Sequence, residues 1–434
     1  MKIKNLLSLS ILLLIIALNT AFAQSKIKVI KAGKLIDVVG GTVLTNQIIL
    51  IDSNKIVDVG ANISIPANAE VIDLSNATVL PGLIDCHTHL SGEPGDNYYE
   101  DIFRKTAIDY AIRAPIYAKK TLEAGFTMVR DVGSSELIDV SLRNAINAGT
   151  IPGPRMLVST FCLGATGGHA DLTGFNPNIE WKGNKDYTGV ADGVDEIRKR
   201  VRNNVKFGAD WIKVSATAGV LSEEESAGAP QYSLEELKVI VEEAHRWGRK
   251  VAAHAHGTEG IKLAIQAGVA SIEHGSLIDE EGIRMMKEKG IWLVADIYND
   301  DYILAEFSKK GYPQKIIDKE KLIGRLQREN FQKAVKAGVN IAYGTDAGVY
   351  PHGWNAKQFF YMVKFGLTPM QAIQSATINA ADLLDWKDKT GSITKGKLAD
   401  IIAVESNPLD GITILEQVKF VMKDGIVYKN DFKK

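Results

Sequence analysis

The chain has 434 residues and is almost neutral, with 51 Lys and Arg against 52 Asp and Glu and a formal net charge of −1. So even a balance offers no basic stripe, which argues against a nucleic-acid partner. The two cysteines, Cys86 and Cys162, are too few for a disulfide framework and read as free, partly shielded thiols.

At the amino end, Lys2 and Lys4 precede an uncharged apolar run from Leu6 to Leu18, and Ala21-Phe22-Ala23 offers a cleavage point before Gln24. This is the pattern of a signal peptide over residues 1–23, and it predicts export to a periplasm or the medium. The apolar run falls short of the ~20 residues that span a bilayer, so no retained membrane anchor is expected. No Cys follows the small residues, and lipidation at that point is not indicated. About 410 residues remain, room for one large domain and a smaller one.

From Gln24 to Leu80 the sequence alternates short β-rich runs with turn residues, as in IKVIKAGKLIDV, TNQIILIDSNKIVDVG and AEVIDLSNATVL. The stretch 386–434 repeats that texture in GSITKGKLADIIAVE and VKFVMKDGIVYKN, the latter with a Lys-Asp-Gly hairpin turn. Both flanks together predict one small β-sandwich, built from residues 24–80 and 386–434.

Between them, residues 81–385 change rhythm. Apolar strand candidates at 83–88, 126–131, 155–159, 211–215, 250–254, 270–273, 291–295 and 340–344 alternate with helical patterns such as SLEELKVIVEEAHRWG and GTEGIKLAIQAG. Eight such alternations over roughly 300 residues predict an α/β fold of the (β/α)8 TIM-barrel type rather than an open doubly wound sheet.

The eight histidines are not scattered over this pattern. His87, His89, His254, His256 and His274 close apolar runs, and His169 and His352 fall in Gly-containing loops after two more. Only His245 reads as an ordinary helix-surface residue. Within CHTH, His87 and His89 share one strand face because side chains alternate. Since reactive groups of such barrels stand at the carboxyl ends of strands, His87, His89, Lys213, His254, His274 and Asp346 form a candidate metal-ligand set. Imidazole nitrogen and carboxylate oxygen suit zinc and similar divalent ions. Lys213 is the unusual member: desolvation favours its neutral amine, which can capture carbon dioxide as a carbamate whose two oxygens bridge two metals.

The motifs PGLIDCHTHL, WIKVSATAG, VAAHAHG, SIEHG and YGTDAG resemble those of the amidohydrolase superfamily. The TGGHAD loop and the run VAAHAHGTEGIKLAIQAGVASIEHGSLIDEE are similar to the imidazolonepropionase-like group that includes Xaa-Pro dipeptidases and ochratoxin amidases. The resemblance covers nearly all of the chain after residue 23. It implies a barrel with a small β domain, two divalent metals and a lysine carbamate joining them. His87, His89 and Asp346 would hold one ion, His254 and His274 the other, and Lys213 both. It also implies a homo-oligomer. A water made acidic by the ion pair would attack the scissile carbonyl, and Asp346 would carry its proton to the leaving nitrogen.

Three further residues are substrate-binding candidates. His169, in GATGGHAD, either donates to an oxyanion or substrate carboxylate or is a solvated loop histidine. Tyr232 resembles a position where the dipeptidases present a phenol to substrate; the other reading is a packed tyrosine ahead of a helix. His256 shares a face with His254 and either binds a carboxylate or orients a ligand. His352 has a substrate role or an incidental one, and the acidic run Glu223 to Glu225 reads as a solvated, mobile loop.

The leading expectation is a binuclear metal-dependent dipeptidase acting on Xaa-Pro or a similar dipeptide. An N-acyl amino acid amidase of the ochratoxin type would use the same ligands. A mononuclear cyclic-amide hydrolase or deaminase leaves Lys213 without a task, and a non-catalytic envelope scaffold leaves all six ligands without one.

Overall fold

The computed structural model describes residues 27–432 apart from 96, 97, 177, 179–187 and 225. The expected signal peptide, residues 1–23, lies outside the described residues. No helix among them is long and apolar enough to cross a membrane.

Strands β1 (Lys28–Asp37), β2 (Thr42–Asp52), β3 (Lys55–Gly60) and β4 (Glu70–Pro81) open the chain. Eight strands of the middle follow: β5 (Leu83–Thr88), β6 (Phe126–Asp131), β7 (Arg155–Val158), β8 (Trp211–Ser215), β9 (Lys250–Ala255), β10 (Ser271–His274), β11 (Trp292–Val294) and β12 (Asn340–Ile341). The chain closes with β13 (Ile401–Val404), β14 (Phe420–Lys423) and β15 (Ile426–Asn430).

Both chain ends share one seven-stranded sheet in the order β15-β14-β13-β4-β1-β2-β3. β4 is the seam, parallel to β1 and antiparallel to β13, with Pro81 opposite Ile401. Side chains of the sheet alternate between two cores. Val79, Ile401, Ala403, Phe420 and Met422 pack within the terminal sheet's own cluster, whereas Leu80, Ile402, Val404 and Val421 join the large central one. The hairpin between β14 and β15 turns on Asp424 (φ 51°) and Gly425 (φ 73°), a pair of left-handed residues that suits a two-residue hairpin.

β4 runs into β5 through Gly82 alone. A Cβ there would lie 2.2 Å from the Thr127 hydroxyl oxygen on β6, so the close approach of the two chains admits only glycine.

The middle strands pair in parallel as β5-β6-β7 and as β8-β9-β10-β11-β12. The two sheets meet at both edges, by parallel bridges Thr88–Ala347 and Leu163–Val214. Backbone hydrogen bonds reinforce the joins: the Cys86 amide donates to the Tyr343 carbonyl and the Leu163 amide to that of Lys213, each at 2.8 Å. β5, β6 and β8 are buried at every position, as strands covered on both faces must be. The eighth strand is shorter than its sequence pattern suggests: only Asn340–Ile341 is regular.

Helices follow the strands with legible ends. Helix Leu234–Arg246 starts in a reciprocal cap between Ser233 and Glu236, and helix Thr258–Ala267 stops at Gly268, φ 92°. Two helices, Tyr98–Arg104 and Ala107–Glu123, follow β5, and Thr106 caps the second with Asp109. The longest helix among the described residues is Gln314–Ala337.

Candidate metal centre

The carboxyl ends of the middle strands open into a cavity of ≈1120 Å³. His87, His89, His169, Lys213, His254, His256, His274 and Asp346 all line it. Six of the eight histidines therefore meet at one place; His245 is exposed on helix Leu234–Arg246 and His352 is packed elsewhere.

Two groups have donor atoms within 4.8 Å of one another and could each hold an ion: His87, His89 and Asp346, and His254, His256 and His274. A third, His274, Asp296 and Asp346, lies between them. Asp346 Oδ1 is 3.4 Å from His87 Nε2 and 3.2 Å from His89 Nε2. The Lys213 amine lies 3.4 Å from His87 Nε2, and the rings of His87 and His274 are 5.1 Å apart.

Three of the rings are oriented from behind. Glu273 accepts from His87 Nδ1 at 2.8 Å, the Gly133 carbonyl from His89 Nδ1 at 2.9 Å, and Asp296 from His274 Nδ1 at 2.8 Å. These bonds put the proton on Nδ1 and leave the Nε2 lone pair for the cavity, the arrangement metal-ligating histidines require. His254 Nε2 is buried without a hydrogen-bond partner among the described residues, a cost that an ion in the cavity removes.

The electrostatics agree. Burial, then neighbouring positive groups, lowers the pKa of His254 and His256 well below that of a free imidazole, and that of His169 to about 4. His87 is lowered by burial and by Lys213. These rings stand neutral at physiological pH, as ligands must. Burial also lowers Lys213, in favour of the neutral amine. The pKa of Asp346 is lowered too, but against burial: burial opposes ionisation, while His87 and His89 hold its carboxyl well below the usual range.

Strain marks the same places. His274 (φ 69°) and Asp346 (φ 56°) both adopt left-handed backbone, which costs a non-glycine residue about 1 kcal/mol or more and persists where the surroundings enforce it. Gly348, φ 121°, lets the chain after Asp346 pass His89, where a Cβ would approach that of His89 to 2.8 Å.

Among the three substrate-binding candidates, His169 and His256 face the cavity. His169 stacks on His254 at 4.2 Å with Nδ1 against the Ser222 hydroxyl, and His256 stacks on His274 at 4.6 Å with Nδ1 against that of Ser276. Tyr232 is not brought there. Its ring is 3% exposed in the central core and its hydroxyl donates to the Ala191 carbonyl at 2.8 Å. His352 packs on Tyr117 and bonds the Gly92 carbonyl. The acidic loop is tied down rather than free: Glu223 pairs with Lys315, and Glu224 accepts from Gln231 at 2.8 Å.

Several site residues escaped the sequence reading. Glu273 joins His87 to Arg130, whose guanidinium also donates to the Cys86 carbonyl. Asp296 gathers His274, Asn299 and Gln327, and Asn299 continues to Asp346 at 3.2 Å. Their signal was a charged residue inside an otherwise apolar strand, as in FTMVRD and SIEH.

A cavity at the carboxyl ends of parallel strands, ringed by imidazoles and carboxylates grouped as metal ligands, defines a metal-dependent hydrolase. The amidohydrolase family matches residues 78–429, and the chain belongs to it; it is an enzyme that hydrolyses amide or peptide bonds. Ochratoxinase of Aspergillus niger is 36% identical over 429 residues, covering 94% of this chain and 87% of the relative. The solved structure of a Xaa-Pro dipeptidase with methionine in its active site is 43% identical, with a TM-score of 0.89 over 93% of this chain and 100% of that one. A prolidase bound to N-methylphosphonate-L-proline is 31% identical, with a TM-score of 0.86 over 93% of this chain and 100% of that chain.

Proposed function

We propose that this protein is an exported binuclear metallo-dipeptidase that cleaves the amide bond of small dipeptides, Xaa-Pro or similar. The observation that carries the reading is the convergence of two His-rich ligand groups beside one buried lysine, Lys213, in a single cavity. The eight parallel strands are read as one closed (β/α)8 barrel over residues 81–385, supported by the bridges at both sheet edges. The terminal sheet is read as part of a small β-sandwich from residues 24–80 and 386–434.

His87, His89 and Asp346 would hold one divalent ion, zinc by donor type, and His254 and His274 the second, with His256 beside them. Lys213, whose pKa burial lowers towards the neutral amine, would carry the carbamate that joins the two sites. When bound, the ions supply Lewis acidity and a water acidic enough to ionise near neutral pH. Asp346 takes the proton of the attacking water and passes it to the leaving nitrogen, which departs poorly unprotonated. Asn299 holds the far oxygen of Asp346 and so fixes the direction of that transfer. His169 and His256 donate to the developing oxyanion or the substrate carboxylate.

A second reading, an N-acyl amino acid amidase, draws on the similarity to ochratoxinase. Dipeptides and N-acyl amino acids assayed side by side with metal-replete protein in bicarbonate separate the two. Faster release of amino acid from Xaa-Pro than from any N-acyl compound supports the dipeptidase; the reverse order supports the amidase.

A further inference from the structure

One buried ionisable group in the cavity wall has no part in the hydrolysis. Glu320 lies on the inner face of helix Gln314–Ala337, in line with Ile323 and Gln327, which share the cavity wall. The residue is 4% exposed, and its carboxyl makes no hydrogen bond or ion pair among the described residues.

The contrast with its neighbours is sharp. Glu273 has Arg130 and His87, Asp296 has His274, Asn299 and Gln327, and Asp346 has two imidazoles and Asn299. Among the described residues, the cations near Glu320 are engaged elsewhere. Arg328 is held by Asp300 and Asp301, each at 2.9 Å. Lys319 donates to the carbonyls of Gly219, Ser222 and Glu224, and Lys315 pairs with Glu223. A buried carboxyl without a partner is costly, and Glu320 lines the cavity, from which a partner can reach it.

We infer that Glu320 is a receptor for a cationic side chain of the substrate, the ammonium of lysine or the guanidinium of arginine, flanking the scissile bond. The inference rests on the amide-hydrolase reading above. Position selects the side chain over the α-ammonium. Gln327 grips Asp296 at the metal end, and Glu320 is seven residues away on the same helix face, about 10 Å along the axis at 1.5 Å per residue. An α-ammonium lies only two bonds, roughly 2.5 Å, from the scissile carbon. An extended lysine side chain carries its ammonium about 6 Å from its Cα, which leaves a remainder that the Glu320 side chain can span. Ile303, Tyr312, Ile323 and Val349 line the cavity around this stretch and suit its methylenes.

The local field favours the same occupant. Burial first, then the charges of Asp300, Asp296 and Asp346, push the Glu320 pKa up to about 8 against the opposing charge of Arg328. A cation alongside reverses that push, so binding near neutral pH drives a proton off Glu320.

The test compares paired dipeptides that differ only in lysine against norleucine, placed on either side of the scissile bond, with free and acetylated α-amines. In wild-type enzyme the lysine member is expected to have the higher kcat/KM by about tenfold or more. That ratio should survive acetylation and fall towards one in Glu320→Gln. An unchanged ratio in the variant, a wild-type ratio near one, or a preference that vanishes on acetylation overturns the assignment. Calorimetry of free L-lysine and L-norleucine with the wild-type holoenzyme, in buffers of different ionisation enthalpy, needs neither turnover nor the variant. Tighter lysine binding with proton release supports Glu320 as receptor, and equal binding contradicts it. Failure to hydrolyse any amide counts against the hydrolase reading, while the binding measurement still decides the role of Glu320.

Discussion

The carboxylate of Glu273 links His87 and Arg130: Oε2 accepts from His87 Nδ1 and Oε1 from the Arg130 guanidinium, both at 2.8 Å and with all three side chains buried. Although burial alone would raise the Glu273 pKa, Arg130 and His87 hold it well below the usual carboxylate range. One buried negative charge thus sets the tautomer of a candidate ligand from 186 positions away in sequence.

Glu273→Gln should weaken metal binding by about 10- to 100-fold, the usual cost of losing a partner behind a ligating histidine. It also leaves Arg130 buried without its counter-charge, at a folding cost on the order of 3–5 kcal/mol. Metal titration and urea unfolding of the same variant read the two effects separately.

Lys213→Met retains the bulk of the side chain and removes the amine. Bound metal should drop below two ions per chain, and turnover should fall by about 10³-fold, a loss of several kcal/mol of transition-state stabilisation. Metal content by elemental analysis, beside initial rates in bicarbonate, checks both.

Tyr232→Phe should leave kcat and KM for dipeptides within about twofold, because the phenol serves the Ala191 carbonyl rather than the cavity. Stability should fall by about 1 kcal/mol for the lost hydrogen bond. A large rise in KM with unchanged stability would return Tyr232 to the substrate site.

Glu320 predicts a pH dependence of folding. Burial first, then Asp300 and Asp296, raises its pKa from 4.5 to about 8. Between those values the folded chain holds a proton that the unfolded chain has released, so stability falls as pH rises through this window and levels off above it. The slope from one such group approaches about 1.4 kcal/mol per pH unit. Glu320→Gln should therefore gain stability on wild type between pH 5 and 8 in urea unfolding of ligand-free protein.

Much of this site was legible because its donors obey local rules. His87 and His89 share a face by strand alternation, and His254, His274 and Asp346 each close an apolar run, so the period of the pattern marks the mouth where they meet. The eight strand positions and the Asp424-Gly425 hairpin were readable for the same reason. Glu273, Arg130 and Asp296 were not, since their partners come from other strands and no spacing records the contact. Tyr232 was misplaced because the direction of its phenol depends on how the preceding loop folds. The acidic run was misread as free because Lys315 and Gln231, which tie it down, lie outside it in sequence.

The most direct test of the account is metal stoichiometry against activity: metal-free wild-type protein titrated with zinc in bicarbonate while dipeptide hydrolysis is followed. The account predicts two ions per chain at full activity, with turnover appearing only as the second site fills. Full activity with one ion or none would contradict it.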